Sequence, residues 1–368
     1  NNQIELYTLH SLLRRGHLGT ISEFRSNFLI NGNERQPLDP WELRRKLSEV
    51  MVRRRREEVK GIRYMKRITR IQSVELSPQE KRAYEEVVDL LFMHYLDFKG
   101  VPINTVLATH SILPKITSSS RSSIEFLENL IANTKYHTST IKIAEEILHD
   151  FKSLVRDSKL EKLMELIDEI DKKDAGTKIL IYTKHPATLK YISDTLKEKK
   201  FKTTEFKGGL TADEKTKRIL EFKEKTQIMV STETGSEGLN LQFCSNIINF
   251  DLPWNPMAVE QRIGRLDRIG QTKNIMIYNL ATKDTMEEHI VDLIINKMCC
   301  VGLIMGELPI ILFNMGLDSK GKMGSSKFEE RLMHAFLDSK NNLGRFASEV
   351  SKVGEEINKG IKDYEQTK

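Results

Sequence analysis

The most constraining feature of this chain is the alternation of short apolar runs with amphipathic helices between about residues 157 and 285. Five runs have the length and composition of strands: KILIYT (178–183), the segment around 201–206, QIMVST (227–232), NIINF (246–250) and NIMIYNL (274–280). Continuous apolar strands that alternate with helices are typical of a parallel sheet covered on both faces. The sequence therefore predicts an α/β fold in this region.

Helical patterns fill most of the chain on either side. Long helices are predicted over 77–97 and 121–150, with the Ser-rich segment 117–123 between them as a loop or mobile linker. The first 59 residues also favour helices. The apolar face expected there consists of Ile4, Leu6, Leu9, Leu12 and Leu13.

Capping residues mark where several helices begin. Ser77 is predicted to cap one helix, with Pro78 at its first position and Glu80 closing a capping box. The same kind of signal occurs at three further pairs, Ser158 with Glu161, Thr211 with Glu214, and Thr285 with Glu288.

Charge and cysteine content narrow the class of protein. The net charge is +6, and residues 1–75 alone hold 16 Lys and Arg against 9 Asp and Glu, which is a mild sign of a polyanionic partner. Three cysteines are too few for a disulfide framework or a four-ligand zinc site, so we expect no metal centre and a reducing, cytoplasmic or otherwise intracellular setting. The longest apolar stretch has 15 residues and is interrupted, whereas a membrane span needs about 20, so no membrane association is expected.

The densest signal lies in three linked elements, STETGSEGLNL (231–241), DLPWNP (251–256) and QRIGRLDRIGQ (261–271). Asn255 can cap a helix that begins at Pro256. If that helix continues, Gln261, Arg265 and Arg268 lie within about 60° of one another on its outer face. Two arginines at this spacing can bracket a phosphoryl group.

Glycines support a ligand site near these arginines. Gly235 and Gly238 follow the predicted strand 227–232, and glycine lets the backbone approach a ligand closely. Open parallel sheets bind ligands at the carboxyl ends of their strands, which is where this loop begins. If Gln261, Arg265 and Arg268 have no functional role, the segment is simply an amphipathic helix whose basic face is exposed to solvent.

This array resembles motifs V and VI of superfamily 2 helicases, and Q-x-x-x-R-x-x-R-x-G-Q after D-x-x-W-N-P resembles the Swi/Snf-type DNA translocases. GRLDRIGQ and YNLATKDTMEEHI are most similar to the HepA/RapA-like branch and its archaeal relatives. KILIYTKH resembles motif IV, FKGGLT the segment after it, and LSEVMVRRRREEV the crossover into the second lobe. The resemblance covers about residues 1–300 and implies a RecA-like fold.

The resemblance also implies roles for particular residues. Arg265 and Arg268 match the arginine fingers that reach the γ-phosphate of ATP, and Gln261 matches a position that orients it. Gly238 and Asn240 match positions near the ATP ribose and the catalytic water. The positions expected to contact the DNA backbone are Thr183, Lys184, Lys207, Gly208, Thr232 and Trp254.

Structural alternatives exist for several of these residues. Thr232 can simply end a strand, and Trp254 can pack between loop and sheet. Lys184 and Lys207 can be solvated lysines, and Asn240 can cap a turn.

Two motifs of the complete family are absent from the sequence. No G-x-x-x-x-G-K-[ST] string is available to cradle phosphates, and no D-E-x-H string to hold Mg²⁺. The resemblance therefore implies that both lie in a first lobe upstream of Asn1, which holds ATP and Mg²⁺. We expect this chain alone to bind ATP poorly and not to hydrolyse it.

The domain organisation implied by the resemblance has five segments. These are 1–59, a helical remnant of the first lobe; 60–76, a basic connector; 77–155, a helical insertion; 156–298, the RecA-like helicase C-terminal lobe; and 299–368, a helical C-terminal extension.

Two other functions remain open at this point. An RNA helicase lobe usually begins motif VI with His-Arg, whereas Gln261 and the trailing Gly270-Gln271 favour the DNA-translocase form. Alternatively, the C-terminal stretches LPIILF and FEERLMHAF could dock a protein such as RNA polymerase, or simply cover an edge of the lobe. A dinucleotide-binding enzyme is disfavoured, because no strand precedes a G-x-G-x-x-G string.

Overall fold

The computed structural model describes residues 3–30, 33–51, 65–93, 113–133, 136–155, 157–233, 239–299, 317, 327–339 and 342–366. The chain divides into two compact units, Asn1–Arg63 and Tyr64–Lys368.

The smaller unit is built from three helices and a short antiparallel ribbon. Its elements are α1 (Gln3–Leu13), α2 (Ile21–Phe28), β1 (Leu29–Ile30), β2 (Asn33–Pro37) and α3 (Pro40–Ser48). Phe24 and Phe28 form its core with the buried side chains of Leu18, Leu29 and Leu43. The helices agree with the sequence pattern, which did not predict the ribbon.

Only part of the apolar face predicted on α1 packs within this unit: Ile4 is partly buried against the core, and Leu6 is also partly buried. Leu9, Leu12 and Leu13 are exposed, Leu12 by 80%. His10 is the residue of α1 that is buried.

The larger unit contains a six-stranded sheet in which every pair of neighbouring strands is parallel. Its strands are β3 (Arg67–Val74), β4 (Ile179–Thr183), β5 (Thr203–Phe206), β6 (Ile228–Thr232), β7 (Asn246–Asn249) and β8 (Ile275–Thr282). Their order across the sheet is β3-β8-β7-β4-β6-β5. All five predicted strands are present, and the predicted fold class, a RecA-like parallel sheet with helices on both faces, is confirmed.

Strand β3 comes from the stretch that the sequence suggested as a basic connector. It pairs with β8 along its whole length, from Arg67 beside Ile275 to Val74 beside Thr282. The segment is extended as expected, and the structure adds that it forms one edge of the sheet.

Helices follow most strands and cover both faces. They are α4 (Pro78–Met93), α5 (Ser120–Ile131), α6 (Thr138–Ser153), α7 (Ser158–Lys173), α8 (Pro186–Glu198), α9 (Ala212–Glu224), α10 (Pro256–Ile263), α11 (Met286–Asp292), α12 (Lys327–Asp338) and α13 (Leu343–Gln366). Alternate residues of β4 enter different cores, with Leu180 and Tyr182 on one face and Ile179 and Ile181 on the other. This two-sided burial explains why the strand is a continuous apolar run.

The helix predicted over 121–150 is two helices, α5 and α6. The Ser-rich segment before them is not a mobile linker, because Ser118 and Ser119 are buried and their hydroxyls lie 2.7 and 2.8 Å from that of Thr188. Buried hydroxyls that find such partners fix a segment in place.

Two of the predicted capping boxes form as expected. Thr211 and Glu214 make one at α9, and at α4 Glu80 accepts a hydrogen bond from the Ser77 backbone N–H (2.8 Å). The prediction for α7 was wrong: its N-cap is Asp157, and the hydroxyl and N–H of Ser158 both donate to Glu80.

The helix α11 begins where Thr285 and Glu288 predicted a helix start. Thr285 caps the helix through the N–H of Glu287, and Glu288 instead accepts a hydrogen bond from the N–H of Asp284 at 3.0 Å.

The C-terminal helices pack on the larger unit beyond a π-helical turn, Leu293–Cys299. On α12 the apolar residues of FEERLMHAF are buried, and Phe336 meets Phe346 of α13 edge to face at 5.4 Å. The stretch LPIILF lies outside the described residues. In the described part of the chain, none of the helices is long and apolar enough to cross a lipid bilayer.

Candidate functional site

The six positions expected to contact DNA lie where strands of the sheet end. Thr183 and Thr232 end β4 and β6, Lys207 and Gly208 follow β5, and Trp254 follows β7. Because all strands are parallel, their carboxyl ends meet at the same edge, where such sheets bind ligands.

The six positions expected to contact DNA differ in accessibility. Lys184, Lys207 and Gly208 are exposed. Thr183 and Thr232 are buried, and the hydroxyl of Thr183 donates to Asp251 at 2.5 Å. As the structure stands, neither threonine presents its side chain to a phosphate backbone.

Trp254 is also buried, with 7% of its surface exposed, and belongs to the main hydrophobic core. It belongs to the same core cluster as Val259, Ile263 and Leu266 rather than projecting from the edge. This is the packing alternative considered for it from the sequence.

The helix that carries motif VI begins as predicted but ends early. The side chain of Asn255 caps α10 by accepting a hydrogen bond from the Met257 N–H (2.9 Å), and Pro256 is the first residue. The helix ends at Ile263, and Gly264 is its C-cap. The assumption that one helix continues to Arg268 was therefore wrong.

The predicted arginine fingers lie in the turn after α10. Arg265 is partly exposed, and its guanidinium makes no hydrogen bond or ion pair with any residue that the structure describes. Arg268 is partly exposed, and its Nε donates to the carbonyl of Gly264 at 3.2 Å. Gln261 is exposed. These side chains are accessible to a ligand although no single helix aligns them.

A backbone hydrogen bond joins motif V to motif VI. The N–H of Leu241 donates to the carbonyl of Arg265 at 3.0 Å. Asn240, the neighbour of Leu241, is exposed, and its side-chain oxygen accepts a weak hydrogen bond from the Gln242 N–H at 3.4 Å. Asn240 is therefore close to Arg265 in space, whereas Gly238 lies outside the described residues.

Arg262 is a functional candidate that the sequence analysis missed. Its side chain is 3% exposed, one Nη donates to Asn249 (2.7 Å) and to the Asp251 carbonyl (2.9 Å), and the other donates to Glu233 (2.7 Å). The guanidinium also lies 4.8 Å from the centre of the Tyr182 ring. The available signal was spacing: Arg262 follows Val259 by three residues and so shares its buried helix face.

Arg262 is one link in a chain of polar contacts across the carboxyl edge. Asn279 of β8 accepts a hydrogen bond from the amide of Asn249 at 2.7 Å, Asn249 accepts one from Arg262, and Arg262 reaches Glu233 beyond β6. The three arginines of motif VI thus divide: one holds strand ends together, and Arg265 and Arg268 remain accessible.

A second buried network surrounds Asp251. Its carboxylate accepts hydrogen bonds from Ser118 at 2.9 Å and from the Lys184 N–H at 3.2 Å, besides Thr183. Burial alone raises the pKa of Asp251, but Lys159, His185 and the hydroxyl donors outweigh burial, and the pKa falls below its ordinary value. An ionised Asp251 thus fixes the backbone of exposed Lys184.

Lys159 connects this network to the helix after β8. Its ammonium is almost fully buried and donates to Glu287 at 2.7 and 2.9 Å and to the Thr117 carbonyl at 2.8 Å. Burial raises the pKa of Glu287, and Lys159 offsets this only in part. Burial also lowers the pKa of His185, whose ring lies 3.0 Å from the Pro114 carbonyl.

The turn with the predicted fingers is held from the sheet edge as well. Arg67 of β3 lies 3.2 Å from each carboxylate oxygen of Glu260 and 2.5 Å from Asp267. Burial opposes the charge on Arg67, but the two carboxylates outweigh it and raise its pKa.

The turn after α10 lies at the opposite end of the sheet, where the strands begin: Gln271 of this turn donates to the carbonyl of Cys244 just before β7, and Asp267 pairs with Arg67, the first residue of β3. Arg265 offers a planar fork without a partner in the described chain, which is the chemistry that binds phosphate. Among the described residues, no cluster of three His, Cys, Asp or Glu side chains could hold a metal ion.

Comparison with known proteins shows which families this chain resembles. The model for SNF2-related domains matches residues 1–143, and that for the helicase conserved C-terminal domain matches residues 158–270. The uncharacterized ATP-dependent helicase YqhH of Bacillus subtilis is 32% identical over 337 residues, which cover 89% of this chain and 55% of YqhH. The chain therefore carries an SNF2-related domain followed by a helicase conserved C-terminal domain, and it is similar to SNF2-type helicases.

Other relatives come from bacteria and plants. The CHD3-type chromatin-remodeling factor PICKLE of Arabidopsis thaliana is 27% identical over 99% of this chain and 26% of its own length. The RNA polymerase-associated protein RapA of Vibrio parahaemolyticus is 36% identical over 135 residues, 36% of this chain and 14% of RapA. The chain thus spans about half of YqhH and about a quarter of PICKLE.

Among solved structures, the Sulfolobus solfataricus SWI2/SNF2 ATPase core domain is similar to 91% of this chain and 60% of that one, at 22% identity and a TM-score of 0.48.

Proposed function

We propose that this chain is the second motor lobe of an ATP-dependent translocase on double-stranded DNA. In this proposal Arg265 and Arg268 reach the γ-phosphate of ATP bound on a first lobe upstream of Asn1, and Gln261 helps to orient it. The observation that carries the proposal is Arg265, whose guanidinium has no partner in the described chain while its carbonyl is fixed by Leu241.

ATP enters the proposal through relatives such as YqhH, which is named an ATP-dependent helicase, and Mg²⁺ enters as the ion that accompanies ATP in phosphoryl transfer. The residues of this chain proposed near ATP are Arg265, Arg268, Gln261, Asn240 and Gly238. The ATP supplies the phosphoryl group that is cleaved, and the arginines stabilise the charge that develops on it. We propose that the chain alone does not hydrolyse ATP, because its sequence lacks the phosphate cradle and the D-E-x-H string.

We further propose that the carboxyl edge grips the DNA backbone through Lys184, Lys207 and Gly208. All three are exposed just after β4 and β5, which lie on either side of β6, and the backbone of Lys184 is held by the buried Asp251. Thr183, Thr232 and Trp254 support this edge from within rather than forming its surface. Contact through phosphates makes binding weakly sequence-specific and strongly dependent on salt.

The decisive experiment replaces the fingers in the full-length protein. Arg265→Ala and Arg268→Ala should each abolish DNA-stimulated ATP hydrolysis while duplex binding changes less than twofold, because arginine fingers contribute about 10³–10⁵ in rate in related systems. Gln242→Ala, on the same edge, is the matched control. Near-normal turnover in both arginine variants would refute the assignment.

The nucleic acid itself is tested by stimulation. Turnover should rise most with duplex DNA and less with single strands or RNA. A stronger response to RNA would favour an RNA helicase instead.

An RNA polymerase partner has less support. It is suggested by the name of RapA, which matches only 36% of this chain. The helix FEERLMHAF, considered as a docking element, buries Phe328, Leu332 and Phe336 within this chain. A pull-down of RNA polymerase with and without residues 300–368 tests the remaining possibility.

A further inference from the structure

Arg67 lies at the start of β3 and binds two carboxylates on either side of the predicted finger Arg265. Glu260 is in α10 and Asp267 lies between Arg265 and Arg268 in the turn. We call Arg67, Glu260 and Asp267 the Arg67 clasp.

The clasp is largely shielded from water. The side chains of Arg67, Glu260 and Asp267 are 20%, 25% and 2% exposed. Ion pairs in such surroundings are screened far less than exposed pairs, and breaking one by removing a partner is costly. Asp267 in particular has almost no access to water that could replace Arg67.

The turn has few regular backbone bonds of its own. The helix ends at Ile263, and the next residues are held by short-range bonds such as Leu266 N–H to the Ile263 carbonyl (3.0 Å) and Arg268 N–H to the Leu266 carbonyl (3.1 Å). A segment outside a helix needs side-chain anchors to hold its direction. Asp267 is such an anchor, because its side chain contacts Arg67 while Arg265 and Arg268 remain partly exposed.

We propose that Arg67 is a positioning residue of the ATPase site, which fixes the direction of Arg265 and Arg268 by holding Glu260 and Asp267. This inference rests on the proposed function of the two fingers. It gives a specific role to one charge of the basic segment 60–76, which the sequence linked only to a polyanionic partner.

The clasp also has a consequence for communication along the chain. Arg67 begins the strand that follows the segment resembling the crossover between lobes, and β3 is paired with β8 along its whole length. The same strand therefore carries the connector and contacts the turn with the fingers. A shift of β3 along β8 changes the clasp and with it the direction of the fingers.

The test uses the full-length protein with its first lobe. Arg67→Ala should lower kcat of DNA-stimulated ATP hydrolysis about 10- to 100-fold, because a displacement of about 1 Å at a reacting group costs up to about 10²-fold. The KM for ATP and duplex binding should change less than threefold. Asp267→Ala should behave alike, and Arg67→Ala with Asp267→Ala should be no worse than the more affected single variant.

The matched control is Arg70→Ala, which removes an exposed arginine from the same strand. It should leave kcat within twofold. Arg67→Lys retains the charge and one contact, so it should recover part of the lost kcat.

Measuring the unfolding of each variant distinguishes a positioning role of Arg67 from a role in stability alone. Activity is compared at a temperature where circular dichroism shows every variant folded. If Arg67→Ala regains full kcat there, or if the effects of Arg67→Ala and Asp267→Ala multiply in the double variant, the inference is overturned. If Arg265→Ala itself retains turnover, the proposed function fails instead, which is a distinguishable result.

Discussion

Replacing Arg262 by alanine should destabilise the larger unit without removing a group that contacts ATP. The side chain is 3% exposed, and its loss leaves the buried oxygens of Asn249 and Asp251 without their donor. Each orphaned buried acceptor costs about 1–3 kcal/mol.

The ion pair with Glu233 adds little to this sum. Glu233 is 36% exposed, so water screens and replaces the pair, and its share is about 0–1 kcal/mol. The expected loss for Arg262→Ala is therefore about 2–7 kcal/mol in the free energy of unfolding.

The assay is urea unfolding followed by tryptophan fluorescence. The chain has two tryptophans, and Trp41→Phe leaves buried Trp254 as the only reporter, which lies in the larger unit. Arg265→Ala is the matched control, and it should change the free energy of unfolding by less than about 0.5 kcal/mol because its side chain has no partner in the described chain.

Comparing Arg262→Ala with Arg265→Ala tests whether Arg262 has a structural role that Arg265 lacks. Arg262→Ala should shift the urea midpoint strongly, and Arg265→Ala should not, although the two residues are three apart in one motif. A change below 1 kcal/mol for Arg262→Ala, or equal losses for both, contradicts the division of the motif into a structural and a ligand-facing part.

Three further predictions concern the buried network and the edge. Burial lowers the pKa of His185 below 6.5, so the unfolded chain binds a proton more readily than the folded chain does. The free energy of unfolding should therefore fall as the pH drops below about 6.5. In urea unfolding at pH 5–8, His185→Asn should flatten that decline. Lys159→Met should destabilise the chain by about 3–5 kcal/mol, because two buried carboxylates lose their cation; a calorimetric midpoint unchanged from the parent contradicts this. Lys184→Ala with Lys207→Ala should weaken duplex binding in fluorescence anisotropy and lower the salt slope by about 1–2, whereas Lys217→Ala on exposed α9 should not, and an equal effect of both would assign the loss to net charge.

Much of the fold followed from local pattern. The strands β4, β6 and β7 are short, largely apolar runs because they are buried on both faces, and that signal is strong at any position in the sequence. The pairing of β3 with β8 had no such signal. Its residues Arg67 and Arg70 are charged, and an edge strand is recognised only when its neighbour is known.

Local sequence pattern also predicted part of the site. Motif spacing located Arg265 and Arg268 but could not show that α10 ends at Ile263, since Gly264 is a weak stop signal inside a helical pattern. The solvent accessibility of the site residues could not be predicted from the sequence. Thr183 and Trp254 match family positions by sequence, and only packing shows that they are buried.

The sequence by itself determined the strand–helix alternation, most helix starts and the order of the motifs, because these depend on residues near one another in the chain. The tertiary structure decided which charged side chains form ion pairs inside the protein and which remain accessible to a ligand. Arg262 binds the carboxylate of Glu233, 29 residues away, and Arg67 binds that of Asp267, 200 residues away. Arg265, by contrast, remains accessible. An arginine's role depends on the partners that folding brings to it, and those contacts leave no local pattern in the sequence.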